Sequence, residues 1–165
     1  VQEAALAIVT NDTNEILLVQ RQDVPVWVLP GGGIEANETA EIAVIRETFE
    51  ETGMRVEVRD HIATYSPVNK FSAHTHLFVC YPTTNDRSFS LQSEEVSDVR
   101  FFPLCKLPSK LFPIHQALID EWIRTESIPI LRPLSEASYP ALLKLIFSHP
   151  FLAFRYIANR IKRKR

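Results

Sequence analysis

The chain has 165 residues, 45% hydrophobic and 23% charged, with a formal net charge of −2 and two cysteines. That length suits one domain with a full core and is short for two; no apolar run is long enough to form a membrane-spanning helix. Cys80 and Cys105 have neither metal-ligand spacing nor the density of a disulfide framework, so they read as buried thiols in a reducing cytoplasm.

The start, Val1-Gln2-Glu3, reads as entry into a strand rather than as a signal peptide. Ala4–Thr10 and Ile16–Gln20 are apolar, β-branched runs around Asn11-Asp12-Thr13-Asn14, a pattern that predicts a β-hairpin with a polar turn. Val26–Leu29 reads as a short strand stopped by Pro30 and three glycines. From Thr39 to Thr52 there is no Gly or Pro and the apolar residues fall at helical spacing, with Asn37 or Glu38 as the start and Gly53 as the stop. Arg55–Tyr65, His74–Tyr81 and Val99–Phe102 read as strands and Ile114–Arg124 as a closing helix. Strands flanking a central helix, with a second helix late, predict an α/β fold: an α/β/α sandwich over a mixed sheet, in a domain over residues 1–128. Ser127–Pro133 is interrupted by proline and reads as a linker. Beyond it, residues 129–165 form a C-terminal helical extension, with short helices expected over Tyr139–His149 and Pro150–Lys164.

All four glycines, at 31, 32, 33 and 53, bracket the helix of residues 39–52. With Glu47 at zero and about 100° per residue, Glu50 falls near −60° and Glu51 near +40°, so three carboxylates share one arc. Thr48, Thr52, Ile45, Phe49 and Ile42 cover roughly 100° to 220°, the side expected to face a core. Like charges so close raise one another's pKa, and a divalent cation with oxygen ligands, Mg²⁺ or Mn²⁺, relieves the conflict. A solvated acidic face is the alternative. The glycines ahead of the helix favour the metal site, because they permit close approach of a ligand to the main chain.

Gly32, five residues, Glu38, seven residues, then Arg46-Glu47-Thr48-Phe49-Glu50-Glu51-Thr52-Gly53-Met54 closely resembles the Nudix box of the Nudix hydrolase family. With each residue type near 6–7% abundance, a chance match in a chain of this length is on the order of 10⁻⁷ to 10⁻⁶. The departure is Thr48, which stands where the family has an aliphatic residue; it is close to valine in shape and able to bond back to a carbonyl one turn earlier. Glu15–Arg21 resembles the family's second strand, Trp27–Pro30 its approach to the box, and Glu95–Leu104 its late acidic strand segment. The resemblance implies a Nudix fold and hydrolysis of a pyrophosphate bond in a nucleotide, by charge neutralisation, an in-line water and a proton acceptor. By the same resemblance Glu50 and Glu51 are metal ligands, and Glu47 binds a second metal or deprotonates the water. Arg46 fixes a catalytic glutamate, Glu38 stabilises a loop, and the Gly31 carbonyl coordinates metal; Gly32 and Gly53 are structural positions of the motif. Glu95 resembles a late metal-site glutamate, with the neighbouring Glu94 leaving the register open. Arg21 resembles a substrate-phosphate contact, and Trp27 and Phe71 are candidates to stack on a base or to fill the core. His74 and His76 share a strand face and are expected to be exposed or hydrogen-bonded.

Markers of three family branches do not match: Pro67 falls short of the ADP-ribose position, Lys70-Phe71-Ser72 stands where a diadenosine-polyphosphate branch has tyrosine, and Leu29-Pro30-Gly31 lacks the glutamine of RNA-pyrophosphohydrolase relatives. The chain thus looks most similar to nucleoside-triphosphate and oxidised-nucleotide pyrophosphatases that release a monophosphate. The alternatives are an ADP-ribose, nucleotide-sugar or dinucleoside-polyphosphate pyrophosphatase and a non-catalytic nucleotide sensor.

The last 25 residues hold Lys144, Arg155, Arg160, Lys162, Arg163, Lys164 and Arg165 and no acid, so the rest of the chain carries a net −9. An acidic body does not suit nucleic-acid backbones, and no specific nucleic-acid partner is expected for it. For the basic, apolar tail the options are a membrane surface, RNA, or packing on its own domain or a second subunit, in a monomer or homodimer.

Overall fold

The computed structural model describes residues 3–69, 72–84, 89–90, 93–124 and 130–148. Strands β1 (Glu3–Val9), β2 (Glu15–Arg21), β3 (Trp27–Val28) and β4 (Gly31–Gly33) lead into α1 (Ala40–Thr52). Then come β5 (Val56–Ser66), β6 (His74–Pro82), β7 (Val96–Pro103), α2 (Pro113–Arg124), β8 (Ile130–Pro133), a 3₁₀ turn at Ser135–Ala137 and α3 (Tyr139–Ser148).

Five strands form a mixed sheet in the order β4-β1-β6-β5-β8, and β3-β2-β7 form a second, antiparallel one. Period-two alternation divides the strands between two cores. Ala5, Ala7 and Val9 of β1 and Phe78 and Cys80 of β6 pack with Ala43 and Val44 of α1. Ile8, Leu77 and Val79 point the other way, into a cluster with Leu118 and Ile119 of α2. A helix on each face of the strands is the expected α/β/α arrangement.

The expected hairpin of the first two strands is corrected. β1 pairs with β4 and β6 while β2 pairs with β3 and β7, and Thr10–Ile16 is the one bridge between them. Each strand buries side chains on both faces, so neither has the polar face of a free-standing hairpin, and the two feed different sheets. The thiols also differ from expectation: Cys80 is buried, which pushes its pKa up to about 12, whereas Cys105 is exposed.

The linker expected over Ser127–Pro133 is corrected over residues 130–133, while residues 127–129 lie outside the described residues. Ile130–Pro133 is a strand, parallel to β5 with Ala63 opposite Ile130 and Ser66 opposite Pro133, and forms one edge of the five-stranded sheet. Pro133, at the strand's end on the sheet edge, is where a strand tolerates proline. Leu134 and Ala137 then enter the α2-side core. Arg132 fastens the segment: it donates to both carboxylate oxygens of Glu121 at 2.8–2.9 Å and to both of Glu136 at 2.8–3.0 Å. Its guanidinium lies 4.9 Å from the centre of the buried Tyr65 ring, whose hydroxyl donates to Glu121 at 2.8 Å. The helix expected over Tyr139–His149 is present as α3; the one expected over Pro150–Lys164 lies outside the described residues.

Arg132→Ala leaves two half-buried carboxylates without their cation and uncovers the Tyr65 ring. We expect it to lower unfolding stability by about 1–3 kcal/mol, read as a fall in the urea midpoint at unchanged m-value. Arg132→Lys should recover only part of the loss, because an ammonium cannot bridge two carboxylates in the plane of a fork.

Candidate active site

The site is built where β4 meets α1. Thr39 caps the helix, its hydroxyl accepting from the Ile42 N–H at 3.2 Å, so the start is one or two residues later than Asn37 or Glu38. Gly53 ends it in the left-handed region at φ 72°, donating to the Phe49 carbonyl.

The helix is rotated relative to the expected wheel. Its buried residues are Ala43, Val44, Thr48 and Thr52, an arc from roughly −40° to 140°, and Ile42 is 55% exposed. Glu51, near +40°, stands in the middle of the buried arc, while Glu50 stands outside it, its side chain 52% exposed. The motif's departure, Thr48, is fully buried and donates to the Val44 carbonyl at 2.7 Å, one turn back as expected; Thr52 does the same to Thr48 at 2.6 Å.

Two glycines make the approach possible. Gly31 has φ 139°, and a β-carbon there would meet the carbonyl oxygen of Ala5 on the paired strand. Its N–H donates to Glu51 Oε2 at 2.9 Å. A β-carbon on Gly32 would lie 2.5 Å from the Glu47 carboxyl carbon, so this glycine leaves the space that the Glu47 side chain fills.

Arg46 holds the other carboxylates. It donates from Nε and Nη2 to the two oxygens of Glu38 at 3.1 and 2.6 Å, from Nη1 to Glu47 at 3.0 Å and Glu50 at 3.2 Å, and from Nη2 to the Gly33 carbonyl at 3.1 Å. Glu38 also accepts from the Glu35 N–H at 2.7 Å, which ties the loop before α1 to the same guanidinium. Among the described residues no three His, Cys, Asp or Glu side chains already converge as a ligand set. Arg46 holds Glu47 and Glu50, and the Gly31 amide holds Glu51.

Burial raises the Glu51 pKa to about 7 against the Gly31 hydrogen bond, with Glu47 and Glu95 adding to the rise. Burial likewise lifts Glu47, partly offset by Arg46. A largely desolvated carboxylate, its pKa raised first by burial and then by its acidic neighbours, is the donor chemistry that fits a hard divalent cation. Arg21, from the end of β2, is fixed by a two-point pair with Asp23 at 2.7–2.8 Å and feels the charges of Glu95 and Glu51. Glu95 itself is exposed, next to Val96, the residue opposite Arg21. These positions bring Arg21 and Glu95 to the edge of the helix site.

Trp27 is not available to stack on a base. It is 7% exposed, sits in the α2-side core and meets Phe102 edge-on at 4.8 Å. Phe71 lies outside the described residues. His74 and His76 lie in a cluster that includes His61, and the Thr64 hydroxyl bonds both His61 and His76.

Reading the sequence did not single out His115. Its Nδ1 accepts the Leu29 N–H at 2.9 Å, which anchors the segment entering Pro30-Gly31 onto α2. Burial, then Arg21, lower its pKa to about 4, so the ring is neutral with its proton on Nε2. A histidine distant in sequence gives no local signal of such a contact.

These two shifts act oppositely on stability. The depressed His115 pKa gives stability that is lost as pH falls from 6.5 towards 4, whereas the raised Glu51 pKa costs stability as pH rises from 4.5 to about 7. We expect Glu51→Gln, measured by urea denaturation in chelator, to be about 1–3 kcal/mol more stable than the parent at pH 8 and to show no gain at pH 4.5.

A NUDIX domain profile matches residues 1–123. A Bacillus subtilis protein provisionally named 8-oxo-dGTP diphosphatase is 45% identical over 120 residues, 73% of this chain and 78% of that protein. An ADP-ribose pyrophosphatase of Methanocaldococcus jannaschii is 30% identical over 114 residues, 67% of each chain. The crystal structure of a NUDIX hydrolase from Nitrosomonas europaea superposes with a TM-score of 0.67 at 28% identity, covering 79% of this chain and 77% of that one.

Proposed function

The chain belongs to the NUDIX family and is a pyrophosphohydrolase, and on that premise we propose that it hydrolyses a nucleoside triphosphate, or an oxidised form of one, to the monophosphate with Mg²⁺. The observation that carries the reading is the pair of glutamates held differently on one helix: Glu51 buried against the Gly31 amide, Glu47 against Gly32 and Arg46. Similarity to the Bacillus subtilis protein over most of both chains favours a triphosphate over ADP-ribose.

Glu47, Glu50 and Glu51, with the Gly31 carbonyl, are the residues that would hold the cation, and Mn²⁺ suits the same oxygen donors. When bound, the cation neutralises phosphate charge and lowers the pKa of attacking water. Glu47, whose proton affinity is raised by desolvation, is the group proposed to accept the proton of that water. Arg46 sets the direction of Glu47 and Glu50 through Nη1, while Glu38 fixes Arg46 from the other side. Arg21, braced by Asp23, is the cation proposed to meet a substrate phosphate, with Glu95 beside it as a further metal ligand.

The test is a panel of nucleoside triphosphates, oxidised nucleotides, ADP-ribose, nucleotide sugars and dinucleoside polyphosphates, with and without Mg²⁺. Monophosphate and pyrophosphate are expected from a triphosphate, with no turnover in chelator. Glu47→Gln, Glu50→Gln and Glu51→Gln should each lower kcat by about 10² or more. Preferred cleavage of ADP-ribose would move the assignment to that branch, and full activity in the glutamine variants would overturn it.

Gly32→Ala gives a sharper check of geometry. The three atoms nearest to its added methyl all belong to the far end of the flexible Glu47 side chain, so the fold should survive while the carboxylate swings away. We expect a fall of about 10–10² in kcat at a thermal midpoint close to the parent's.

A further inference from the structure

Seven large apolar side chains are markedly exposed among the described residues, and five of them, Ile123, Leu131, Tyr139, Leu143 and Ile146, lie in one short stretch of chain. Scattered exposed apolar residues need no explanation, but a concentration of them does. Tyr139, Leu143 and Ile146 stand on α3 at i, i+4 and i+7, one stripe along the helix, and are 50%, 53% and 45% exposed. In the sequence, residues 141–165 hold seven Lys and Arg and no Asp or Glu; Lys144 is on α3 and the other six lie outside the described residues.

We propose that α3 and the basic segment that follows it dock the protein on an anionic lipid surface, with Tyr139, Leu143 and Ile146 entering the headgroup boundary. An apolar stripe joined to a one-signed basic run supplies both components of interfacial attachment, burial and attraction to anionic headgroups. Charge favours this occupant over a nucleic-acid strand or a second copy. A nucleic-acid strand would match the basic residues and leave the stripe in water. A second copy would cover the stripe but bring two strongly basic segments together. The rest of the chain, at net −9, is repelled by the same surface, which confines attachment to this end. None of this depends on which nucleotide the enzyme cleaves.

The experiment is co-sedimentation of the full chain with vesicles of phosphatidylcholine alone and with about a third phosphatidylglycerol, at low and high salt. Binding is expected to the anionic vesicles only and to weaken with salt. Leu143→Glu with Ile146→Glu should lower the bound fraction on the order of tenfold while hydrolysis in free solution keeps the parent's rate. Should that pair not fold, Lys162→Glu with Arg163→Glu and Lys164→Glu is expected to give the same loss by removing the attraction. Equal binding to both vesicle types, or to neither, overturns the proposal. So does a concentration-dependent dimer that the apolar variant disperses, or an RNA shift that persists where vesicles are not bound.

Discussion

The site depends on one guanidinium shared among acidic neighbours that would otherwise repel each other. Arg46 reaches Glu38 with two nitrogens, Glu47 and Glu50 with the third, and the Gly33 carbonyl as well. Because the fork is planar and its donors are fixed in direction, satisfying Glu38 on one edge determines where the other edge points. The loop before α1, the strand β4 and the carboxylates of Glu47 and Glu50 are therefore tied to one group. That is why a residue that performs no proton transfer in the proposed chemistry stands beside one that does.

The two glycines answer the same constraint from the backbone side. At Gly31 a side chain would collide with the main chain of β1, so the strand pairing that seats the amide against Glu51 is open only to glycine. At Gly32 the collision is with Glu47 itself, so bulk there changes the site before it changes the fold. Adjacent positions in one motif thus guard different things, the sheet and the carboxylate.

How much of this was legible follows from range. The helix, its glycine stop and the three carboxylates are encoded within one short stretch, and spacing alone locates them. The backward bond of Thr48 follows from the same local geometry. What spacing does not encode is which side of α1 meets the strands. Ile42 looks like a core residue by type, yet the small Ala43 and the threonines Thr48 and Thr52 are what fit against the sheet, and Ile42 faces out. The separation of β1 from β2 into different sheets, the pairing of Ile130–Pro133 with β5, and the anchoring of Leu29 by His115 all join distant parts of the chain. A turn-like sequence between two strands does not reveal that each has a better partner elsewhere. Trp27 shows the same limit, since an aromatic near a site reads alike whether it faces substrate or, as here, Phe102.

The rotation of α1 gives the acidic motif its chemical asymmetry. If the carboxylates lay on the side opposite the core, all three would be hydrated and alike. Instead Glu51 is drawn into the buried arc, where desolvation holds it near neutral pKa, and Glu50, one residue earlier, remains half in water beside Arg46. Adjacent residues of the same type therefore present a desolvated oxygen and a hydrated one. Glu50 and Glu51 would thus offer a divalent cation one hydrated and one desolvated oxygen donor. A cation held by these residues would relieve the unfavourable desolvation of an ionised Glu51, which links the stability that carboxylate withholds from the fold to affinity for the ion.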